Sequence, residues 1–159
     1  MTSFPFLRVL FTSLWLPKRK DYRYFLNEGR FELAVRVLCG TDIIELSRMG
    51  AVLERRPRLL ERLFDPTETR YARAHADPTP YLAARFCAKE AVMKLLGRGI
   101  GSINFRDIVV VREPMQRPKI ELTGSAARLA VELGLKDLDV SLSHSETMAM
   151  AMVVGIIED

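Results

Sequence analysis

Apolar positions change their period several times along the chain, and each change marks an element. From Phe31, FELAVRVLCGTDIIEL alternates and is rich in Val and Ile, which predicts a strand ending near Asp42. Helical spacing follows at about Leu46 to Glu54 and at about Pro57 to Leu63, and DPTETRYARAH supplies Asp or Thr caps with a Pro near a helix start. After the Pro-rich break ADPTPY comes the longest helical stretch. At 100° per residue Leu82, Phe86, Ala88, Ala91, Val92, Met93, Leu95 and Leu96 leave almost no polar side, so this helix is predicted to be buried by its neighbours. FRDIVVVRE reads as a strand, EPMQRP as a turn and KIELTG as the antiparallel partner. SAARLAVELG reads as a short helix capped by Ser125 and stopped by Gly134. LDVSLSH and TMAMAMVVGII form a final hairpin around Ser145 and Glu146, and the second strand, apolar on both faces, is predicted to lie centrally. The class is α+β, a single domain with a mainly antiparallel sheet packed by helices.

The buried helix carries charges that need a reason. Glu90 and Lys94 have the spacing of a helix ion pair, worth about 0.2–0.5 kcal/mol on a surface. Among Ala83, Phe86 and Cys87 such a pair gains little over apolar residues, so a ligand-binding role competes with the structural one. Gly97 has the position of a helix-ending residue, whereas Gly99 and Gly101, with Arg98 between, could expose backbone N–H groups to an anion. Three polar clusters result: Asp42 at a strand end, Glu90 with Lys94, and Ser141, Ser143 and His144 on a central strand. Two carboxylates, a lysine and a glycine-rich loop suit Mg²⁺ clamping a polyphosphate. His75, in a charged and Ala-rich stretch, reads as surface.

The chain has 159 residues and is 48% hydrophobic, enough for one domain with a real core. Cys39 and Cys87 lie in apolar segments without CxxC spacing, which predicts reduced, buried thiols in a cytoplasmic protein and no zinc site. The net charge of +4 arises before Gly40, where seven basic residues face three acids; the remainder is neutral, with 17 of each. That placement argues against a nucleic-acid groove, although Arg48, Arg55, Arg56, Arg58 and Arg62 outnumber Glu54 and Glu61 locally. Residues 1–34 are expected to be an extension preceding a domain over 35–159. FPFLRVLFTSLWLPKRK within it is too broken for a membrane span and lacks the order of a secretory signal. A peripheral membrane helix, a targeting segment and a start assigned too far upstream stay open beside a dispensable extension.

The segments GTDIIELSRM, RFCAKEAVMKLLGRGIG, FRDIVVV with RPKIELTGSA, and VSLSHSETMAMAMVV occur in an order and spacing that resembles the holo-acyl-carrier-protein synthase family of the 4′-phosphopantetheinyl transferase superfamily. The resemblance runs from about Val37 to the C-terminus. It implies Mg²⁺-dependent transfer of phosphopantetheine from coenzyme A to a serine of an acyl carrier protein, in fatty acid biosynthesis or another pathway, with release of adenosine 3′,5′-bisphosphate. It implies Asp42 and Glu90 as metal ligands and Lys94 as the phosphate contact. Gly97, Arg98, Gly99 and Gly101, with Arg85, Ser143 and His144, would then lie beside the coenzyme. Glu90, directly or through water, or else His144, would take the serine proton. The resemblance further implies a homotrimer with shared sites and an acidic carrier docking near Arg48. Leu38, Arg98 and Gln116 depart from the family's small residues at their positions. The competing readings are a coenzyme-A- or nucleotide-binding module without turnover, which intact Asp42, Glu90 and Lys94 oppose, and a small nucleic-acid-binding protein, which the neutral body opposes.

Overall fold

The alternating run forms strand β1 (Val35–Glu45), which continues past Asp42 rather than ending there. The β-branched pair Ile43 and Ile44 extends the pairing with β5 (Met148–Glu158) as far as Glu45 opposite Met148. The computed structural model describes residues 35–99, 101–113 and 115–158; the predicted extension over residues 1–34 lies outside the described residues. Helices α1 (Leu46–Arg55), α2 (Arg58–Leu63) and α3 (Pro66–Arg73) follow at the expected places. The long helix α4 (Thr79–Leu95) begins inside the predicted Pro-rich break. Pro80 is tolerated in the first turn, where its missing N–H has no partner to lose, and Asp77 accepts a hydrogen bond from Thr79 N at 2.8 Å.

FRDIVVVRE divides into a 3₁₀ turn (Phe105–Asp107) and strand β2 (Ile108–Val111), which pairs antiparallel with β3 (Lys119–Leu122). Gln116 closes the intervening turn by donating to Glu113 at 2.7 Å. Helix α5 (Gly124–Glu132) has Thr123, not Ser125, at its N-cap position. The cap is supplied from outside the helix, because Asp107 accepts from both Ser125 N at 2.7 Å and Ser125 Oγ at 2.5 Å. Strands β4 (Leu135–His144) and β5 complete a three-stranded antiparallel sheet of order β1-β5-β4. β5 is central as predicted, whereas β4, with Ser141, Ser143 and His144, is an edge strand of that sheet. Leu38 lies opposite Gly155, so a large residue and a small one share that row.

Alternation gives the sheet two different faces. Gly40, Ile44, Ala149, Ala151 and Val153 turn inward onto α4, while Val37, Cys39, Ile43, Met150, Met152 and Ile156 turn outward and are exposed. Cys39 is therefore an exposed thiol, contrary to expectation, because it falls on an outward position of β1; Cys87 is buried as expected. The inward face accepts α4 at unusually short range. A Cβ built on Gly40 would lie 1.9 Å from the Ala91 carbonyl oxygen and 3.0 Å from Leu95 N, so only hydrogen fits there.

The opposite flank of α4 is held by a buried ion pair. Lys89 Nζ lies 2.7 Å from Glu68 Oε2, and neither side chain is exposed to solvent. The ammonium also donates to the carbonyls of Phe105, at 3.0 Å, and Ile108. Glu68 in turn accepts from Asp65 N at 2.8 Å, closing the capping box of α3, and from Val110 N at 3.1 Å. One carboxylate thereby joins α3, α4 and β2.

Replacing Gly40 with Ala should destabilise the protein by about 3 kcal/mol or more, because the clash is with helix backbone that cannot swing aside. Thermal unfolding followed by circular dichroism should show a melting temperature lower by roughly 10 °C; an unchanged melt would mean that β1 and α4 are not in backbone contact.

Candidate active site

The tight approach at Gly40 brings two carboxylates from different elements to one place. Asp42 lies two residues beyond Gly40 on β1, opposite Ala151 of the inward face, and Glu90 precedes Ala91 on α4. Glu90 is only 2% exposed, and its Oε1 has no hydrogen-bond partner. Burial pushes its carboxyl up to about 8; the Asp42 charge adds to the rise and Lys94 opposes it. An orphaned oxygen beside a second carboxylate is an arrangement that a cation would complete.

Lys94 does not pair with Glu90. Its ammonium donates to Asp42 Oδ1 and to the Thr41 carbonyl, both at 2.8 Å. The helix-pair explanation of the Glu90–Lys94 spacing therefore fails, since the lysine crosses to the strand and leaves the glutamate alone. Lys94 stands at the solvent edge while Glu90 is enclosed, so the positive charge borders the site from outside. Cys87, one turn before Glu90, donates its thiol to the Ala149 carbonyl at 3.5 Å, and burial, then Asp42, push that thiol up.

Among the described residues no three His, Cys, Asp or Glu side chains group together as a metal site. Two carboxylates without imidazole or thiolate suit a hard cation that retains water and takes its remaining oxygens from a substrate. The residues fit Mg²⁺ on that ground and do not fit structural zinc.

The glycine loop begins where α4 ends. Gly97 takes φ +67° and Arg98 N donates back to the Met93 carbonyl at 3.0 Å, which closes the helix as expected. Gly101 has φ +99°, and a Cβ on Gly97, Gly99 or Gly101 would meet nothing within 4 Å. The loop is thus an open, exposed strip that includes Arg98. Beside it, between α2 and residues 101–106, lies a cavity of about 480 Å³ whose lining includes Leu63, Ile103 and Phe105.

A second group sits toward the other end of α4. Arg85 is buried with its guanidinium 4.1 Å from the centre of the Tyr71 ring, and it donates to the Tyr81 carbonyl at 3.2 Å. Its Nε, also buried, has no hydrogen-bond partner. His144 meets the Tyr81 ring edge-on at 5.5 Å. His75 is not a free surface residue, as its ring stacks on Tyr81 at 3.7 Å and its Nδ1 lies 3.0 Å from the Tyr71 carbonyl. Arg85 and Lys94 are nine residues apart on one helix, roughly 13 Å. His144 shares the inward face with Asp42 but stands two strands over and two residues along, roughly 12 Å between backbone positions. Ser141 and Ser143 oppose Met152 and Met150 on the outward face, so the chain does not bring them to the carboxylates. Arg48 is half-buried on α1, and Arg55, Arg56, Arg58 and Arg62 are exposed along α1, α2 and the segment between them.

Neither Glu68 nor Lys89 stands out as a functional residue in the sequence. The spacing of Asp65 and Glu68 signals a helix cap, but nothing local signals that the glutamate turns inward to a lysine 21 residues later.

Residues 38–152 match the model of the 4′-phosphopantetheinyl transferase superfamily. A holo-[acyl-carrier-protein] synthase of Moorella thermoacetica is 48% identical over 115 residues, 72% of this chain and 90% of that protein. A holo-(acyl-carrier-protein) synthase of Bacillus anthracis, solved in complex with CoA (3′,5′-ADP), superposes with a TM-score of 0.63 at 31% identity, covering 76% of this chain and 96% of the other. The Helicobacter pylori holo-[acyl-carrier-protein] synthase, solved with coenzyme A, gives 0.65 at 28% identity, covering 77% and 100%. With the fold, the motif order and most of the domain in agreement, the chain belongs to the holo-acyl-carrier-protein synthase family of the 4′-phosphopantetheinyl transferase superfamily.

Proposed function

We propose that this enzyme transfers 4′-phosphopantetheine from coenzyme A to a serine of an apo acyl carrier protein, with Mg²⁺ held by Asp42 and Glu90. The observation that carries the cation assignment is the orphaned, buried Glu90 Oε1 beside Asp42. The serine oxygen forms a bond to the phosphorus on the pantetheine side of the pyrophosphate, the bridging P–O bond breaks, and adenosine 3′,5′-bisphosphate leaves. Mg²⁺, when bound, neutralises charge on the pyrophosphate and so stabilises the transition state. Lys94, at the solvent edge, turns its ammonium from Asp42 to a phosphate oxygen. Glu90, directly or through a water, takes the serine proton, with His144 the alternative base. The open glycine strip Gly97, Arg98, Gly99 and Gly101 lets the coenzyme lie against backbone, and Arg85, Ser143 and His144 are assigned to its more distant contacts. The supporting comparison is that relatives of this fold were solved with coenzyme A.

The exposed apolar face of the sheet supports a homotrimer. Val37 and Ile43, 56% and 58% exposed, continue into Met150, Met152 and Ile156, a patch larger than scattered surface residues need. Covering it in a three-fold ring makes the coenzyme cleft a shared one and sets Ser143, on the same face, at the subunit boundary. Such an enzyme works among soluble carriers in the cytoplasm; no described helix is long and apolar enough to cross a membrane.

Asp42→Ala and Glu90→Ala should each lower turnover by at least about 100-fold while the fold stays intact. Retention of near-wild-type rates by either variant at saturating Mg²⁺ would refute the ligand assignment. Because the Glu90 carboxyl is raised to about 8, below that pH a cation must displace its proton. Affinity for Mn²⁺, measured by titration calorimetry, should rise about tenfold per unit between pH 6 and 8 and level off above. A flat profile over that window would mean that Glu90 is already ionised.

Arg48→Glu should raise the KM for the carrier, leave coenzyme-A affinity nearly unchanged and flatten the dependence of rate on salt, because an acidic carrier is steered by charge beside the site. Superimposable curves of carrier KM against salt for variant and wild type would place docking elsewhere. Ile43→Lys should convert the trimer to monomers in light scattering and abolish transfer; a fully active monomer would overturn the shared-site reading.

A further inference from the structure

We infer that Lys89 and Glu68 form a positioning pair for the reaction, setting the rotation of α4 and thereby the aim of Glu90. The inference rests on the reading of Asp42 and Glu90 as cation ligands. As a source of stability the pair has little to recommend it, since a buried ion pair is often no better than apolar residues of the same size. Its geometry does something that an apolar contact cannot. The Lys89 ammonium has three protons and three acceptors: Glu68 Oε2 at 2.7 Å, the Phe105 carbonyl at 3.0 Å and the Ile108 carbonyl. Those acceptors come from α3, from the start of the 3₁₀ turn and from the first residue of β2, so α4 is held from two directions at one point along its axis.

That point is one residue from Glu90. Lys89 and Glu90 project about 100° apart, the first toward α3 and β2, the second toward β1. The Gly40 contact limits how far α4 stands from β1, and the Lys89 bonds add a directional, hydrogen-bonded constraint on its rotation that apolar packing does not supply. A carboxylate about 6 Å from the axis moves about 2 Å for a 20° rotation, enough to separate Glu90 from Asp42 as joint ligands. The same ammonium fixes Phe105, whose ring stacks on Phe86 at 5.6 Å, and so anchors the far end of the segment that starts at Gly97. Groups hydrogen-bonded directly to metal ligands typically alter metal affinity by about 10–100-fold, and this pair acts one step further out, through the helix that carries Glu90.

The test is Mn²⁺ binding by titration calorimetry, at a temperature where circular dichroism shows each protein folded. The double variant Glu68→Gln/Lys89→Met removes both charges and nearly preserves volume, and its Mn²⁺ dissociation constant should rise by about tenfold or more. Ile157→Ala, a core truncation near the end of β5, lowers stability without touching the pair and should bind Mn²⁺ within about twofold of wild type. Should the double variant not fold, Glu68→Gln alone keeps the bonds from Lys89 to the two carbonyls and should show a smaller loss in the same direction. Wild-type affinity in the folded pair variant, or an equal loss in Ile157→Ala, overturns the inference and leaves the ligand assignment standing. Absence of Mn²⁺ binding by wild type itself overturns the ligand assignment, and the inference falls with it.

Discussion

The contact between Gly40 and the Ala91 carbonyl decides most of what this domain can do. A strand and a helix normally pack with side chains between them, which keeps their backbones well apart. Here the missing side chain of Gly40, together with Ala88 and Ala91 on the helix, lets β1 and α4 touch. A methyl group at residue 40 would have to occupy the space of a helix carbonyl. Because the approach is so close, Asp42 and Glu90, each one or two residues from the contact, share one small volume although 48 residues separate them in the chain. Pairing of β1 with β5 runs on before and after Asp42, which holds the backbone at that position rigid.

Two lysines on α4 divide the electrostatic work. Lys89 is sealed inside, and burial alone would favour losing its proton; Glu68 and two carbonyls oppose that tendency. Lys94, five residues later, reaches the surface and holds Asp42 across the gap to the strand. The first lysine therefore belongs to the scaffold, whereas the second borders the candidate site. Their proximity in sequence conceals this, because positions five apart on a helix face very different surroundings.

Much of the architecture was legible from period and punctuation. The central place of β5 followed from its apolar character on both faces, and the helix stop at Gly97 from the glycine itself. The errors fell where tertiary contacts override local signals. β1 runs beyond Asp42 because β5 continues alongside it, and α4 starts at Thr79 because proline is harmless in a first turn. The cap of α5 comes from Asp107, 18 residues before Ser125, which no local pattern reveals. For the site, residue identity and spacing pointed to Asp42, Glu90 and Lys94, but not to which of them would pair. A helix spacing of four left a Glu90–Lys94 pair open beside a ligand role; the close strand offered the lysine a better partner and left Glu90 without one. The place of His75 in an aromatic stack and the inward turn of Glu68 were invisible for the same reason.

The unpaired state of Glu90 has an energetic meaning. An enclosed carboxyl raised to about 8 makes the folded protein bind a proton that the unfolded chain, with an ordinary glutamate, releases. Between the ordinary carboxylate range and about pH 8, stability therefore falls as pH rises, and the loss is complete only above about pH 8. A residue selected only for folding would not be kept on those terms, since glutamine or an apolar side chain would remove the penalty. A cation held as proposed would reverse the sign: it would take the place of the proton, satisfy the orphaned oxygen and convert a destabilising group into a ligand. On the proposed reading, the fold holds Glu90 in a position that is unfavourable until the reaction's charges arrive, which is how preorganised sites gain their effect.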